Sequence, residues 1–230
     1  MSACVKASGL SLLRSNRIIV DGLTFSADRG ERIAVLGPNG SGKTTLARTF
    51  LGFSEYRGSL EIEGRDVRSD VKAARRAVAA VFGDADPQLL MPTVFDELAF
   101  SLKAAGGPYD PARVGDLAEK FGLEALLPRH PSRLSSGEKR RALLALNIGR
   151  KPSILILDEP TADLDVRGTR ILRETLATLP QTIFLITHDY DLARAICRKT
   201  IVLAGGRTAV FENIGDLFAD RALLESWELV

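Results

Sequence analysis

The sequence has no long apolar run. Its longest, Ala77–Phe82, falls far short of the ~20 mostly apolar residues that a membrane-spanning helix needs, so the chain is not expected to cross a bilayer. It has little surplus charge: 31 Lys and Arg stand against 29 Asp and Glu, a formal net charge of +2. That balance argues against a nucleic-acid binder working through a strong basic field. A pI near 8.6 does not alter this, because so small a surplus makes no large patch unless it is clustered. Cysteine is scarce. Cys4 and Cys197 are the only 2 and lie in neither a metal-ligand nor a redox spacing, so no disulfide and no catalytic role are expected, and a reducing cytoplasm fits. The first residues, Met1–Lys6, show no charged segment followed by an apolar stretch and do not read as a signal peptide. Internal repeats and low-complexity segments are absent.

What is present is an ordinary globular composition, 45% hydrophobic and 26% charged over 230 residues, enough chain for one to two domains and a real core. Short apolar runs alternate with helical patterns. Arg32–Leu36, Ser153–Asp158 and Thr182–Thr187 read as buried strands. Thr44–Phe50, Arg167–Leu179 and Tyr190–Arg198 read as helices. Apolar strands without polar alternation, separated by helices, predict a parallel sheet covered on both faces. Gly9–Ser26 and Gly58–Val67 alternate and predict an antiparallel side sheet. The stretch 84–150 holds helical patterns at Val94–Ala105, Pro111–Phe121 and Ser136–Gly149 and is taken as a helical subdomain inserted into a core formed by 1–83 and 151–230. Thr200–Phe211 reads as a hairpin around Gly205-Gly206, followed by short helices.

The strongest motif is Gly37-Pro38-Asn39-Gly40-Ser41-Gly42-Lys43-Thr44, the P-loop spacing between a strand and a helix. Glycines let the backbone curl so that N–H groups point at phosphate oxygens. The helix beginning near Gly42 adds its positive end. Lys43 supplies a full charge for the β- and γ-phosphates, and Thr44 a hydroxyl for Mg²⁺; Thr45 completes the expected ATP-binding stretch. The second motif, Ile154-Leu155-Ile156-Leu157-Asp158-Glu159, brings Asp158 to the carboxyl end of a central strand, where such folds bind ligands. Asp158 is the expected Mg²⁺-side carboxylate, and Glu159 can orient or deprotonate an attacking water.

These two motifs fit small GTPases, nucleotide kinases, helicases and transport ATPases alike. Leu134-Ser135-Ser136-Gly137-Glu138-Lys139-Arg140-Arg141 discriminates: it resembles the signature motif of ABC ATPases. Asp158-Glu159-Pro160-Thr161 continues the match. Ala162-Asp163-Leu164-Asp165 resembles the family's D-loop, and Thr187-His188-Asp189 its switch histidine. A finer likeness lies in Val81–Phe100, which looks like the loop region of ATPases from energy-coupling-factor importers of cobalt, nickel, biotin and other vitamins.

The resemblance implies an ABC ATPase fold: a P-loop α/β core, an antiparallel side sheet and an inserted helical subdomain. It implies ATP and Mg²⁺ as ligands and two ATPase subunits closing head to tail, as a homo- or heterodimer. Ser135, Ser136, Gly137 and Glu138 then face the partner's ATP, although plain N-capping by Ser135 or Ser136 is supported equally. Asp165 contacts the partner, His188 reaches the γ-phosphate, and Lys43, Glu159 and His188 form the catalytic set. His130 is a loop residue. Integral-membrane subunits are the implied partners, which places the chain at the cytoplasmic face of the membrane with no nucleic acid bound. The Gly83–Leu98 region is where relatives grip those subunits; Leu89, Leu90, Met91 and Phe95 either join that surface or pack inside the subdomain.

Three departures stand out. Gly83 occupies the place of the family's loop glutamine, leaving Gln88 to substitute, so hydrolysis should persist with altered coupling. Arg14 holds the place of the adenine-stacking aromatic; a guanidinium plane still stacks on a base, with looser base selectivity. Ser136 adds bulk where the signature has glycine. Three readings follow: an importer ATPase, an exporter ATPase, and a weakly hydrolysing ATP clamp paired with a more competent relative. A DNA-repair or translation relative normally needs a coiled-coil insertion or tandem ATPase units.

Overall fold

Both faces of the central sheet are covered, and this is why its strands carry no polar alternation. A computed structural model of the chain describes residues 3–83, 88–104 and 111–230. In chain order the first half runs β1 (Ala3–Arg14), β2 (Arg17–Asp28), β3 (Arg32–Leu36), α1 (Lys43–Phe50), β4 (Tyr56–Ile62), β5 (Arg65–Asp66), α2 (Val71–Ala77) and β6 (Val78–Val81). Then come α3 (Val94–Ala104), α4 (Pro111–Phe121), α5 (Ser136–Gly149), β7 (Ile154–Asp158), α6 (Val166–Thr178) and β8 (Thr182–Ile186). The chain ends with α7 (Tyr190–Ile196), β9 (Lys199–Ala204), β10 (Arg207–Phe211), α8 (Ile214–Phe218) and α9 (Arg221–Ser226).

One sheet has the order β10-β9-β3-β8-β7-β6, parallel except for β10. The other is antiparallel, β2-β1-β4-β5. The expected α/β architecture is therefore present, and among the described residues the stretch between β6 and β7 contains no strand. Alternate residues of each central strand point to opposite faces. Ile33, Val35, Ile154, Ile156, Phe184 and Ile186 meet α1 and the antiparallel sheet, while Ala34, Leu36, Leu155, Leu157, Ile183 and Leu185 meet the helices between β6 and β7 together with α6 and α7. Edge-to-face rings of Phe184 with Phe25 (5.9 Å) and with Phe50 (4.9 Å) lock the first interface.

The sequence reading missed α2 and β6. In the sequence, residues 77–82 stand out as an apolar run too short for a membrane, with Val81 and Phe82 opening the importer-like loop. Here Val78–Val81 form the parallel edge strand, in register with Ile154–Leu157 of β7. Residues 84–87 of the importer-like loop, and Ala105 at the expected end of α3, lie outside the described residues. Both cysteines are buried and free. Burial pushes the Cys197 thiol up to about 12, which makes it an inert core side chain. No described helix is long and apolar enough to cross a membrane.

Candidate active site

The site is built where β3 and β7 end at the same edge of the sheet. From Leu36 the chain curls through residues 37–42 into α1. The curl requires glycine at its start: Gly37 has φ +146°, and a Cβ there would stand 2.0 Å from the Leu203 carbonyl oxygen. The N-terminus of α1 has Gly42 at its cap and no side-chain cap, so it is left open toward an anion. The Ser41 hydroxyl is buried without a hydrogen-bond partner. Lys43 folds back, its Nζ donating to the carbonyls of Gly37 (2.6 Å) and Pro38 (2.9 Å). Burial lowers the Lys43 pKa, opposed by the Glu159 and Asp158 carboxylates.

Asp158, 6% exposed, accepts from the Thr44 hydroxyl at 2.7 Å. Burial raises its pKa; the Thr44 bond and the charges of Lys43, Arg140 and Arg48 oppose that rise. Thr44 and Asp158 thus present one hydroxyl and one carboxylate side by side, a donor set that fits Mg²⁺ completed by substrate phosphates. No described cluster of three or more His, Cys, Asp or Glu offers a metal site of its own.

Glu159 sits in a left-handed turn, φ +49°, fixed by its N–H to the Ile186 carbonyl at 2.9 Å. Its Oε2 accepts from Thr187 Oγ1 (3.4 Å) and His188 N (3.3 Å). Its Oε1 is buried without a hydrogen bond, with His188 Nε2 at 3.5 Å. The same Nε2 lies 3.0 Å from Asn39 Oδ1, so the histidine bridges Glu159 and the P-loop. Sequence reasoning named Asn39 and His188 but not this contact, nor Thr187 as the anchor of Glu159. Arg14 reaches the same cleft from the β1–β2 hairpin, whose two turn residues, Ser15 and Asn16, both have positive φ, as a tight right-twisting hairpin requires. Thr45 and Gly40 also line it. Its volume of about 240 Å³ lies below the ~300–1,000 Å³ of pockets that enclose a small ligand; it cradles one side of a ligand and leaves the other open.

Ser135, Ser136, Gly137, Glu138, Asp165, Gly83 and Gln88 do not line this cleft. Ser135 caps α5 in a reciprocal capping box with Glu138, and the Ser135 N–H holds the Glu138 carboxyl below its ordinary pKa. A Cβ on Gly137 would stand 2.6 Å from the Asp163 carbonyl oxygen, so glycine is what lets α5 start against the 161–165 turn. Asp165 caps α6 through the Gly168 N–H at 2.6 Å. Gln88 is held on the backbone of Phe82, its Nε2 donating to that residue's carbonyl (3.3 Å) and its Oε1 accepting from that residue's N–H (3.4 Å). His130 caps the 3₁₀ turn Pro131–Arg133.

A glycine-rich loop between a central strand and an uncapped helix, facing an acidic strand end, defines a P-loop nucleoside triphosphatase. The chain belongs to the ABC transporter family: residues 20–162 match that family's model. It is 34% identical to the energy-coupling factor transporter ATP-binding protein EcfA of Methanosphaera stadtmanae, over 90% of this chain and 78% of the relative. It is 37% identical to the biotin transport ATP-binding protein BioM of Rhizobium etli, over 88% and 91%. The solved structure of cbiO1 from Clostridium perfringens, part of the ABC transporter complex cbiONQ, superposes with a TM-score of 0.79 at 29% identity, covering 100% of this chain and 96% of that one. The chain is therefore an ATP-binding, ATP-hydrolysing subunit of an ABC transporter, similar to ATPase subunits of the energy-coupling-factor type.

Proposed function

We propose that this subunit powers uptake of a micronutrient, a metal ion or a vitamin, through integral-membrane partner subunits held at the cytoplasmic face of the membrane. The observation that carries the reading is the likeness to EcfA, BioM and cbiO1 together with the importer-like loop around Gly83–Phe100. In this reading Lys43 leaves its loop carbonyls for the β- and γ-phosphates, and the amides of residues 40–45 cradle the remaining phosphate oxygens. Thr44 and Asp158 would hold Mg²⁺, which would supply positive charge against the phosphates. Glu159 takes the proton of the attacking water, and His188 senses the γ-phosphate through its bridge to Asn39. The open side of the cleft is closed by the first turn of α5 from a second ATPase subunit, with Ser135, Ser136 and Gly137 against the phosphate and Asp165 at the contact. The ordered Glu159–His188–Asn39 arrangement favours hydrolysis over a passive clamp.

Leu90 is 79% exposed and Phe100 57%. With Met91 and Gln88 they line a groove of about 260 Å³, which suits an apolar helix of a membrane subunit. Leu89 and Phe95 pack instead against the helical core. Two measurements check the proposal. Purification of the tagged chain from its native membrane in mild detergent should recover small integral-membrane subunits; recovery with a single large export-type membrane protein contradicts import. Because Arg14 stacks by a sequence-tolerant contact, ATP and GTP should bind within about tenfold of each other; a strong preference for ATP in a competition assay refutes that role.

A further inference from the structure

Arg140 lies one turn into α5 and is 1% exposed. Nothing in the established activity or in the proposed one uses it. A guanidinium stays charged at any pH a protein meets, and burying that charge is costly unless its donors are satisfied. Apolar residues of the elements it joins, Val81 of β6, Leu157 of β7 and Leu144 of α5 itself, belong to the buried hydrophobic core. The charge is nevertheless kept, and both arms of its fork are bonded: Nη1 donates to the Phe82 carbonyl at 2.8 Å and Nη2 to the Gly83 carbonyl at 2.5 Å.

Those two carbonyls stand at a particular place. The register of β6 on β7 pairs Val81 with Leu157, so Phe82 is level with Asp158. Arg140 therefore grips the strand end beside the acidic end of β7, where its charge acts on Asp158. Gly83 has no side chain to send into the site, and a Cβ there would meet nothing within 4 Å. The fork of Arg140 occupies the backbone at that point instead. From the other side, Gln88, which lines the exposed groove with Leu90 and Phe100, donates to the same Phe82 carbonyl.

We infer that Arg140 is a positioning residue for hydrolysis: through the Phe82 and Gly83 carbonyls it ties the seating of the first turn of α5 to the strand end beside Asp158, and it shares the Phe82 carbonyl with Gln88 so that the groove is connected to the same latch. This rests on the reading of α5 as the element that closes over the partner's nucleotide. A rigid fork is needed because two carbonyls must be held at once, which a lysine ammonium does not do.

The test uses the full chain, with MgATP turnover measured against ATP concentration, affinity measured with a fluorescent ATP analogue, and melting curves for every variant. Turnover of the parent over Glu159→Gln comes first; no difference sinks the ATPase reading and this inference with it. Given an active parent, Arg140→Met should lose about 100-fold in kcat, the scale of a small misplacement of reacting groups. Arg140→Lys should lose about tenfold, since it keeps the charge without the fork. Affinity for the analogue should stay within about threefold in both, since no phosphate contact is removed. Because Gln88 and Arg140 share one acceptor, Gln88→Ala should add nothing to the loss in Arg140→Met. A kcat for Arg140→Met close to the parent's, a loss of affinity that matches the loss of kcat, or a lysine variant no better than methionine overturns the inference. Should Arg140→Met not fold, Arg140→Lys with Gln88→Ala decides alone: non-additive losses in kcat support the latch, and independent losses overturn it.

Discussion

Glu159→Gln lowers MgATP turnover by about 10²–10⁴-fold, the range expected when a positioned general base is removed, while ATP binding is retained. Oε2 is held by Thr187 Oγ1 and the His188 N–H, and a glutamine oxygen can accept from both. The buried Oε1 has no hydrogen bond; in the variant that position becomes an NH₂, which cannot take a proton from water. Shape, anchoring and the bound nucleotide are therefore preserved and the chemical step alone is lost. Phosphate release under single-turnover conditions, beside equilibrium ATP binding, checks both halves. Turnover equal to the parent's would favour a chain that clamps ATP without hydrolysing it at this site.

Lys43→Ala weakens ATP binding by roughly 10–150-fold, the equivalent of the 1.5–3 kcal/mol of a hydrogen bond to a charged group. Lys43 is 7% exposed, so its charge acts in a site partly shielded from water. Its present partners are the Gly37 and Pro38 carbonyls, ordinary acceptors that a phosphate outcompetes through full charge. The variant also leaves Asp158 and Glu159 without their compensating cation, and repulsion between these carboxylates and the triphosphate adds to the loss. Calorimetric titration with ATP measures it. Unchanged affinity would place the nucleotide elsewhere on the chain.

The parts of this site that were legible in the sequence are those whose geometry is set by contiguous residues. Residues 37–44 carry their glycines, cation and hydroxyl at fixed spacing, and Ile154–Asp158 signals a doubly covered strand ending in a carboxylate. Contacts made across the fold were not legible. The Asn39–His188 bond joins residues 149 positions apart. Arg140 looks the same as Lys139 and Arg141 in sequence, and only the orientation of α5 buries it. Strand β6 was missed because Val-Ala-Ala-Val is short and half alanine, a residue depleted in strands; its pairing with β7 is a tertiary effect. Arg14 was placed by alignment, but the reason it reaches the cleft is the two-residue turn at Ser15–Asn16.

A crystal structure of the Glu159→Gln chain with ATP and Mg²⁺ tests the account most directly. The predicted result has Lys43 Nζ off the Gly37 and Pro38 carbonyls and on the γ-phosphate. The Thr44–Asp158 hydrogen bond is opened by the metal, and the open side of the cleft is closed by Ser135 of a second ATPase subunit. A nucleotide bound outside this cleft, or bound within it while Lys43 and the Thr44–Asp158 pair stay as they are here, would contradict it.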